Sequence, residues 1–342
     1  MVELNVRDQD AFDVQAFGGW LGQAVPGLGE ITRISQFAGG ASNLTFQIDC
    51  ANDSVVMRTS PTGRKAASAH DMQREARLLT ALRPAFEKVP AVLAVAGDES
   101  PLGRPLFVCE YVSGTILRRD LPEGVPVEAL AETFIQTFVD LHAVDTSTGE
   151  LAAFNKGSGY VRRQVEGWST RYRQARTDDV PDAESVMTWL AQRQPEDVAA
   201  CVIHNDWRFD NMVLDPADPS RIKAVLDWEL ATLGDPFMDL GSAMAYWVEP
   251  ADEEGMQAFR MQPSTAPGMP TRDGFVDEYC RRAGRQRPDW AFYEVYGLFR
   301  LAGIAQQIWY RYYHGQTSNP AFAMFGPAVQ FLVARCERLI SA

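Results

Sequence analysis

The chain has 342 residues, 46% apolar and 23% charged, enough for a sizeable core in one large or two smaller domains. A formal charge of −13 argues against a nucleic-acid or anionic-membrane surface, which would need clustered Lys and Arg. Five Cys without paired spacing predict reduced thiols, the first residues lack a signal-peptide pattern, and no apolar run approaches the roughly 20 residues of a bilayer span, so a cytoplasmic protein is expected.

Residues 31–37, 44–50 and 55–58 read as short strands. In the second, Leu44, Phe46, Ile48 and Cys50 alternate with polar residues, the period of a half-buried strand. Asn52-Asp53 supplies the turn that follows it. Between the first two strands, Gly39-Gly40-Ala-Ser42-Asn43 is a turn or a phosphate-facing loop, because Gly lets backbone N–H groups approach phosphate closely. A helix is predicted over 67–82, with Met72, Ala76 and Leu79 on one face and Pro84 closing it. Two more strands follow, at 89–96 and 105–112. The expected first domain, 1–112, is therefore a five-stranded antiparallel sheet with one helix.

After Ser113-Gly114 the pattern turns helical, and 113–342 is expected to be a mainly helical second domain. Residues 127–142 and 291–313 are amphipathic, while 198–228 inserts short strands around a set of acidic motifs. Residues 250–272, rich in Pro, Met, Gly and acidic side chains, read as a long surface loop.

The acidic motifs carry the chemistry. His204-Asn-Asp206-Trp-Arg208-Phe-Asp-Asn211 is followed by Val225-Leu-Asp227-Trp and by Gly234-Asp235-Pro-Phe-Met-Asp239. Phosphoryl transfer to a hydroxyl needs an Asp to take the acceptor proton, an Asn five residues on and a second Asp on the next hairpin to hold metal ions. Asp206, Asn211 and Asp227 supply these types in that order, against competing readings as caps or turn residues. Arg208 could stabilise charge on the transferred group or pair with a surface carboxylate. Asp210 could contact the acceptor or serve a turn. His204 and Asp239 are expected to brace backbone. Arg58 shares a strand face with Val56 and can enter a nucleotide site, with Glu75 on the following helix as its partner. Walker and dinucleotide glycine patterns are absent. Trp207, Tyr246, Trp247, Arg300 and Trp309 are candidates to line an acceptor pocket, with core packing as the alternative. Arg300, in an otherwise apolar helical stretch, requires an anionic partner.

Together these residues resemble the aminoglycoside phosphotransferase family of small-molecule kinases, from Gly39-Gly40 to about Tyr313. Within that family they look most like the branch of kinase domains associated with acyl-CoA dehydrogenases, a resemblance carried by Gly40-Ala-Ser-Asn-Leu-Thr-Phe46, Ala69-His-Asp-Met-Gln-Arg-Glu75 and Leu226-Asp-Trp-Glu-Leu-Ala-Thr-Leu-Gly-Asp-Pro236. The resemblance implies an α+β, protein kinase-like bilobal fold using ATP and Mg²⁺. It implies that Gly39, Gly40, Ser42 and Asn43 lie near the phosphates, that Arg58 takes the place of a phosphate-binding Lys, and that Asn211 and Asp227 hold metal. Glu110 and Val112 would meet adenine, with Cys109 guarding the pocket. Asn205 stands where the family has Gly, and Asn tolerates a left-handed backbone. The implied function is phosphorylation of a small-molecule hydroxyl, with hydroxyacyl-CoA compounds as acceptors and a functional link to an acyl-CoA dehydrogenase. The alternatives are a kinase for aminoglycosides or other cationic alcohols, and a nucleotide-binding pseudokinase scaffold.

Overall fold

The computed structural model describes residues 2–37, 43–61, 71–317 and 319–341. The chain forms two compact units. One comprises Met1–Thr115, Thr148–Ala153 and Lys223–Ala231; the other comprises Ile116–Ser147, Phe154–Ile222 and Thr232–Ala342. Asp227 thus belongs by its packing to the sheet unit, far from it in sequence.

The first unit is built on strands β1 (Glu3–Asn5), β2 (Ile31–Gln36), β3 (Leu44–Cys50), β4 (Ser54–Thr59), β5 (Val92–Ala96) and β6 (Leu106–Glu110), in the order β1-β2-β3-β4-β6-β5. The five expected strands form the antiparallel part. The sixth, β1, adds in parallel at the edge beside β2. Its three residues are all exposed, so it carries no alternation that a sequence could display. A second helix was also unanticipated: α1 (Val14–Ala24) lies between β1 and β2, its first turn capped by Asp13, which accepts from the N–H groups of Gln15 and Ala16.

Alternation decides which face each strand residue serves. Phe46, Ile48, Val55, Met57, Leu106 and Val108 share one core with Phe17 and Leu21 of α1, each contributing on the order of 1.5–3 kcal/mol. Val56 and Arg58 face the other side, toward α2 (Met72–Leu82). Asp71 caps α2 by accepting from Arg74 N; residues 67–70 of the expected helix lie outside the described residues. The one-turn α4 (Gly149–Ala152) also packs on α2.

In the second unit, α3 (Val127–His142) matches its expected range. It is followed by α5 (Tyr160–Ala175), α6 (Glu184–Gln192), β7 (Cys201–Ile203), β8 (Met212–Leu214), β9 (Ile222–Val225) at the boundary of the units, and β10 (Thr232–Gly234), which pairs antiparallel with β7. The remaining helices are α7 (Pro236–Met244), α8 (Glu254–Ala258), α9 (Arg272–Ala283), α10 (Trp290–Tyr313) and α11 (Phe325–Ser341). Helix α10 packs against α5, α7 and α11. Its crossing with α7 is close because Gly241 and Gly297 meet backbone to backbone, leaving no room for a Cβ on either.

Residues 250–272 are not simply a surface loop. They hold α8 and bury Met256, Gln262 and Ser264. Gln262 and Ser264 hydrogen-bond backbone groups of Tyr246, Val248 and Phe209, so polar side chains that suggested exposure instead satisfy buried N–H and C=O groups. Among the described residues, no helix is long and apolar enough to cross a membrane, and the five Cys are unpaired.

Candidate active site

Residues 204–211 are held by alternate side chains. Trp207 and Phe209 are buried. Trp207 stacks on Phe138 with ring centroids 4.5 Å apart, and Phe209 stacks on Phe134 at 4.0 Å. Both partners come from α3. Arg208 between them is extended, so its side chain leaves on the opposite side. Trp207 and Trp247, candidates for an acceptor pocket, are therefore core: Trp247 packs on Phe134 and Phe275 and donates its indole N–H to Pro270 O. Trp309 is half-buried, donating its indole N–H to Asp179.

The main chain at the start of this loop is clamped by Asp239 of α7. Its two carboxylate oxygens accept from His204 N at 2.6 Å and Asn205 N at 2.7 Å, and its Oδ2 also lies 3.2 Å from His142 Nε2. His204 Nδ1 accepts from Asp206 N at 3.2 Å. Asp235 caps α7, with Pro236 at the first helical position, and also accepts from Val198 N. Asn205 takes φ 66°, the left-handed conformation for which Asn is suited.

Asp206, with its side chain 15% exposed, is fixed from two sides. Asn211 Nδ2 donates both to the Asp206 carbonyl and to its Oδ2, each at 2.8 Å. Arg208 Nε lies 3.1 Å from Asp206 Oδ1 and 3.4 Å from Asp210 Oδ1, and its guanidinium covers the Tyr246 ring at 4.7 Å. The competing ion-pair reading of Arg208 is thus present, but its partners are the motif's own carboxylates. Burial raises the Asp210 carboxyl above its ordinary value, with Arg208 opposing and Asp206 adding to the shift. The exposed Arg118 lies 3.7 Å from Asp210. Gln262, missed in the sequence, accepts from Phe209 N at 3.2 Å and donates to Tyr246 O at 3.1 Å.

The first unit holds a separate charge network. Arg58 Nη1 lies 3.1 Å from Glu75, while Nη2 lies 3.0 Å from Asp227 and 3.6 Å from Glu229. Burial would lower the Arg58 pKa; the charges of Glu75, Asp227 and Glu229 outweigh it and raise the value. Burial also raises the Glu75 carboxyl, against the pull of Arg58. Glu229 additionally accepts from Asn43 Nδ2 at 2.7 Å. It was missed, although the quoted Leu-Asp-Trp-Glu run contains it. Asp227 adopts φ 64° and its side chain is 41% exposed. Glu110 ties down the start of β5, accepting from Ala91 N at 3.2 Å, with Arg83 3.4 Å away. Val112 is half-buried, and burial pushes the Cys109 thiol up to about 12. Gly39, Gly40 and Ser42 lie outside the described residues.

Each unit offers an oxygen donor of its own. In the second, Asn211 commits its N–H₂ to Asp206, which leaves Oδ1 without a hydrogen bond among the described residues; in the first, Asp227 bonds Arg58 through Oδ1. Oxygen donors of this kind match Mg²⁺. No group of three or more His, Cys, Asp or Glu among the described residues is placed to hold a metal unaided.

Similarity to known proteins agrees with the motifs. The family model of the phosphotransferase enzyme family matches residues 33–296. The chain belongs to that family. The expectation of a phosphotransferase stands with this membership, as does the likeness to acyl-CoA dehydrogenase-associated domains. Acyl-CoA dehydrogenase family member 10 of Mus musculus is 36% identical over 292 residues, 84% of this chain and 27% of that protein. The chain spans less than half the length of such curated relatives. A solved Ralstonia eutropha JMP134 protein, described as a candidate aminoglycoside phosphotransferase, is 31% identical with TM-score 0.78, covering 96% of this chain and 99% of its own. A thermostable mutant of aminoglycoside phosphotransferase APH(4)-Ia, in ternary complex with AMP-PNP and hygromycin B, shares the fold. It is 18% identical with TM-score 0.58, covering 95% of this chain and 98% of its own.

Proposed function

We propose that this phosphotransferase uses ATP and Mg²⁺ to phosphorylate a hydroxyl group of a small molecule. The observation that carries the proposal is the fixed Asp206 carboxylate, oriented by the Asn211 amide on a loop whose backbone N–H groups are clamped by Asp239. A carboxylate so held orients an acceptor hydroxyl and accepts its proton late, the role in which positioning dominates. Arg208, already beside Asp206, spreads the negative charge that develops on the transferred group. Asn211 Oδ1 and the free oxygen of Asp227 would hold Mg²⁺, which supplies charge neutralisation at the phosphates. Arg58, braced by Glu75, contacts the donor phosphates; Gly39, Gly40, Ser42 and Asn43 line them, and Glu110 and Val112 take the adenine. The AMP-PNP complex of a fold neighbour supports a nucleotide donor.

For the acceptor, the names of the curated relatives favour hydroxyacyl compounds, including CoA thioesters, and a functional partnership with an acyl-CoA dehydrogenase. Labelled ATP and Mg²⁺ with a panel of hydroxyacyl-CoAs, sugars, choline-like alcohols and aminoglycosides tests both halves. Label is expected on one hydroxyl class, and Asp206→Asn is expected to lower kcat by about 10²–10⁴ while nucleotide binding persists. Transfer to none of them, with Asp206→Asn consuming ATP like wild type, overturns the proposal.

One observation favours a second reading. Arg58 is enclosed by three carboxylates, which compete with phosphate for its charge. A nucleotide-binding scaffold would tolerate that arrangement. Thermal stabilisation by ATP without Mg²⁺ and without turnover selects it.

A further inference from the structure

Arg300 was expected to need an anionic partner, and among the described residues no carboxylate pairs with it. The residue is 3% exposed on α10. Its Nη2 donates to the Asn205 carbonyl at 2.8 Å, and its guanidinium lies 5.4 Å over the Trp168 ring. Among the described residues it makes no ion pair and no second hydrogen bond. The anion whose charge reaches it, Asp206, is already held by Arg208 and Asn211.

Two more buried donors adjoin it. Tyr296 lies one helical turn before Arg300, on the same face of α10. Its hydroxyl lies beside the Trp168 indole N–H, and both atoms are buried with no further hydrogen-bond partner among the described residues. A guanidinium, a phenol and an indole N–H therefore gather with a single carbonyl between them. Burying a cation without a counter-ion is among the costliest arrangements a fold can hold, and buried donors are almost always satisfied. More buried donors than acceptors, with a cation among them, is an arrangement that an anion would complete.

We propose that Arg300, Tyr296 and Trp168 form an anion-binding subsite, next to the residue that carries Asp206, and that the acceptor bears a carboxylate or phosphate group held there. The inference rests on the kinase reading and sharpens it. An acceptor anchored by its anionic group on Arg300 presents its hydroxyl to Asp206, and a polycationic aminoglycoside is repelled by the same charge.

The test uses the whole chain without nucleotide, titrated with sodium acetate and with inorganic phosphate at constant ionic strength against chloride. Tm and calorimetry are the readouts. Saturable binding of at least one anion to wild type is expected, weakened tenfold or more in Arg300→Met, severalfold in Tyr296→Phe and kept in part by Arg300→Lys. Acetate binding selects a hydroxycarboxylate acceptor; binding of phosphate alone selects a phosphate-bearing one. No saturable binding to wild type, or equal binding to wild type and Arg300→Met, overturns the proposal. Should Arg300→Met fail to fold, Tyr296→Phe and Arg300→Lys decide by the same comparison. Because no turnover is measured, failure here leaves the kinase reading intact, and an inactive enzyme leaves this test standing.

Discussion

Arg58 donates to the Asp227 carboxylate at 3.0 Å, joining residues 169 positions apart within one compact unit. The contact ties the middle strand of the sheet to a residue held in a left-handed conformation at the end of β9. The same guanidinium holds Glu75, so three carboxylates and one cation share a largely buried network. Such a network is costly to break from either side, because the surviving charge stays buried.

Glu75 provides a pH test. Burial raises its folded pKa above the ordinary value, opposed by Arg58 and reinforced by Asp227. An acid shifted upward costs stability when ionised. The cost is full above the folded pKa and vanishes below the unfolded value near about 4.3. Wild type should therefore gain stability relative to Glu75→Gln as pH falls from about 7 to about 4.5. Paired urea titrations at the two pH values check the sign, and a flat or opposite difference rejects it.

Asp239 should matter more for the loop than its distance in sequence from Asp206 suggests. Asp239→Ala strands the N–H groups of His204 and Asn205, both buried. Each unsatisfied donor costs roughly 1–3 kcal/mol, so a loss of about 3 kcal/mol or more is expected in denaturant unfolding. Asp239→Asn keeps one acceptor and should lose less.

Asn205 makes a conformational prediction. With φ at 66°, Asn205→Gly should unfold within about 0.5 kcal/mol of wild type and retain activity, whereas Asn205→Val should lose about 2 kcal/mol and most activity. Equal stability of the Gly and Val variants would show that the left-handed backbone is unimportant.

The α7–α10 crossing predicts overpacking. A Cβ at Gly297 would meet the Gly241 carbonyl, and backbone cannot yield as a flexible side chain does. Gly297→Ala should lower stability by about 1–3 kcal/mol and lower Tm in calorimetry, while Gly22→Ala on α1, where a Cβ meets nothing, should leave Tm unchanged or raise it.

What could be read in advance was local. The alternation in β3, the apolar face of α3 and the spacing of Asp206 to Asn211 are each complete within about 16 consecutive residues, because strand and helix periods act over that range. Even the bracing role of Asp239 followed from its place after Gly-Asp-Pro. The partnership of Glu229 with Arg58 and Asn43, the insertion of Gln262 beneath Phe209 and the bond of Arg300 to the Asn205 carbonyl did not follow from any local pattern.

Those features depend on which distant side chain reaches a buried polar group, and many sequences with the same periodicity would choose differently. The chain's order of residues determined its family, its sheet and helix units and the types of its acidic groups. Tertiary packing alone decided that Trp207 and Trp247 are core, that β1 and α1 complete the sheet unit, and that Arg300 is buried against the Asn205 carbonyl and the Trp168 ring. The physical reason is desolvation: once packing removes water, each buried charge or N–H must find a partner in space, and sequence distance no longer says where.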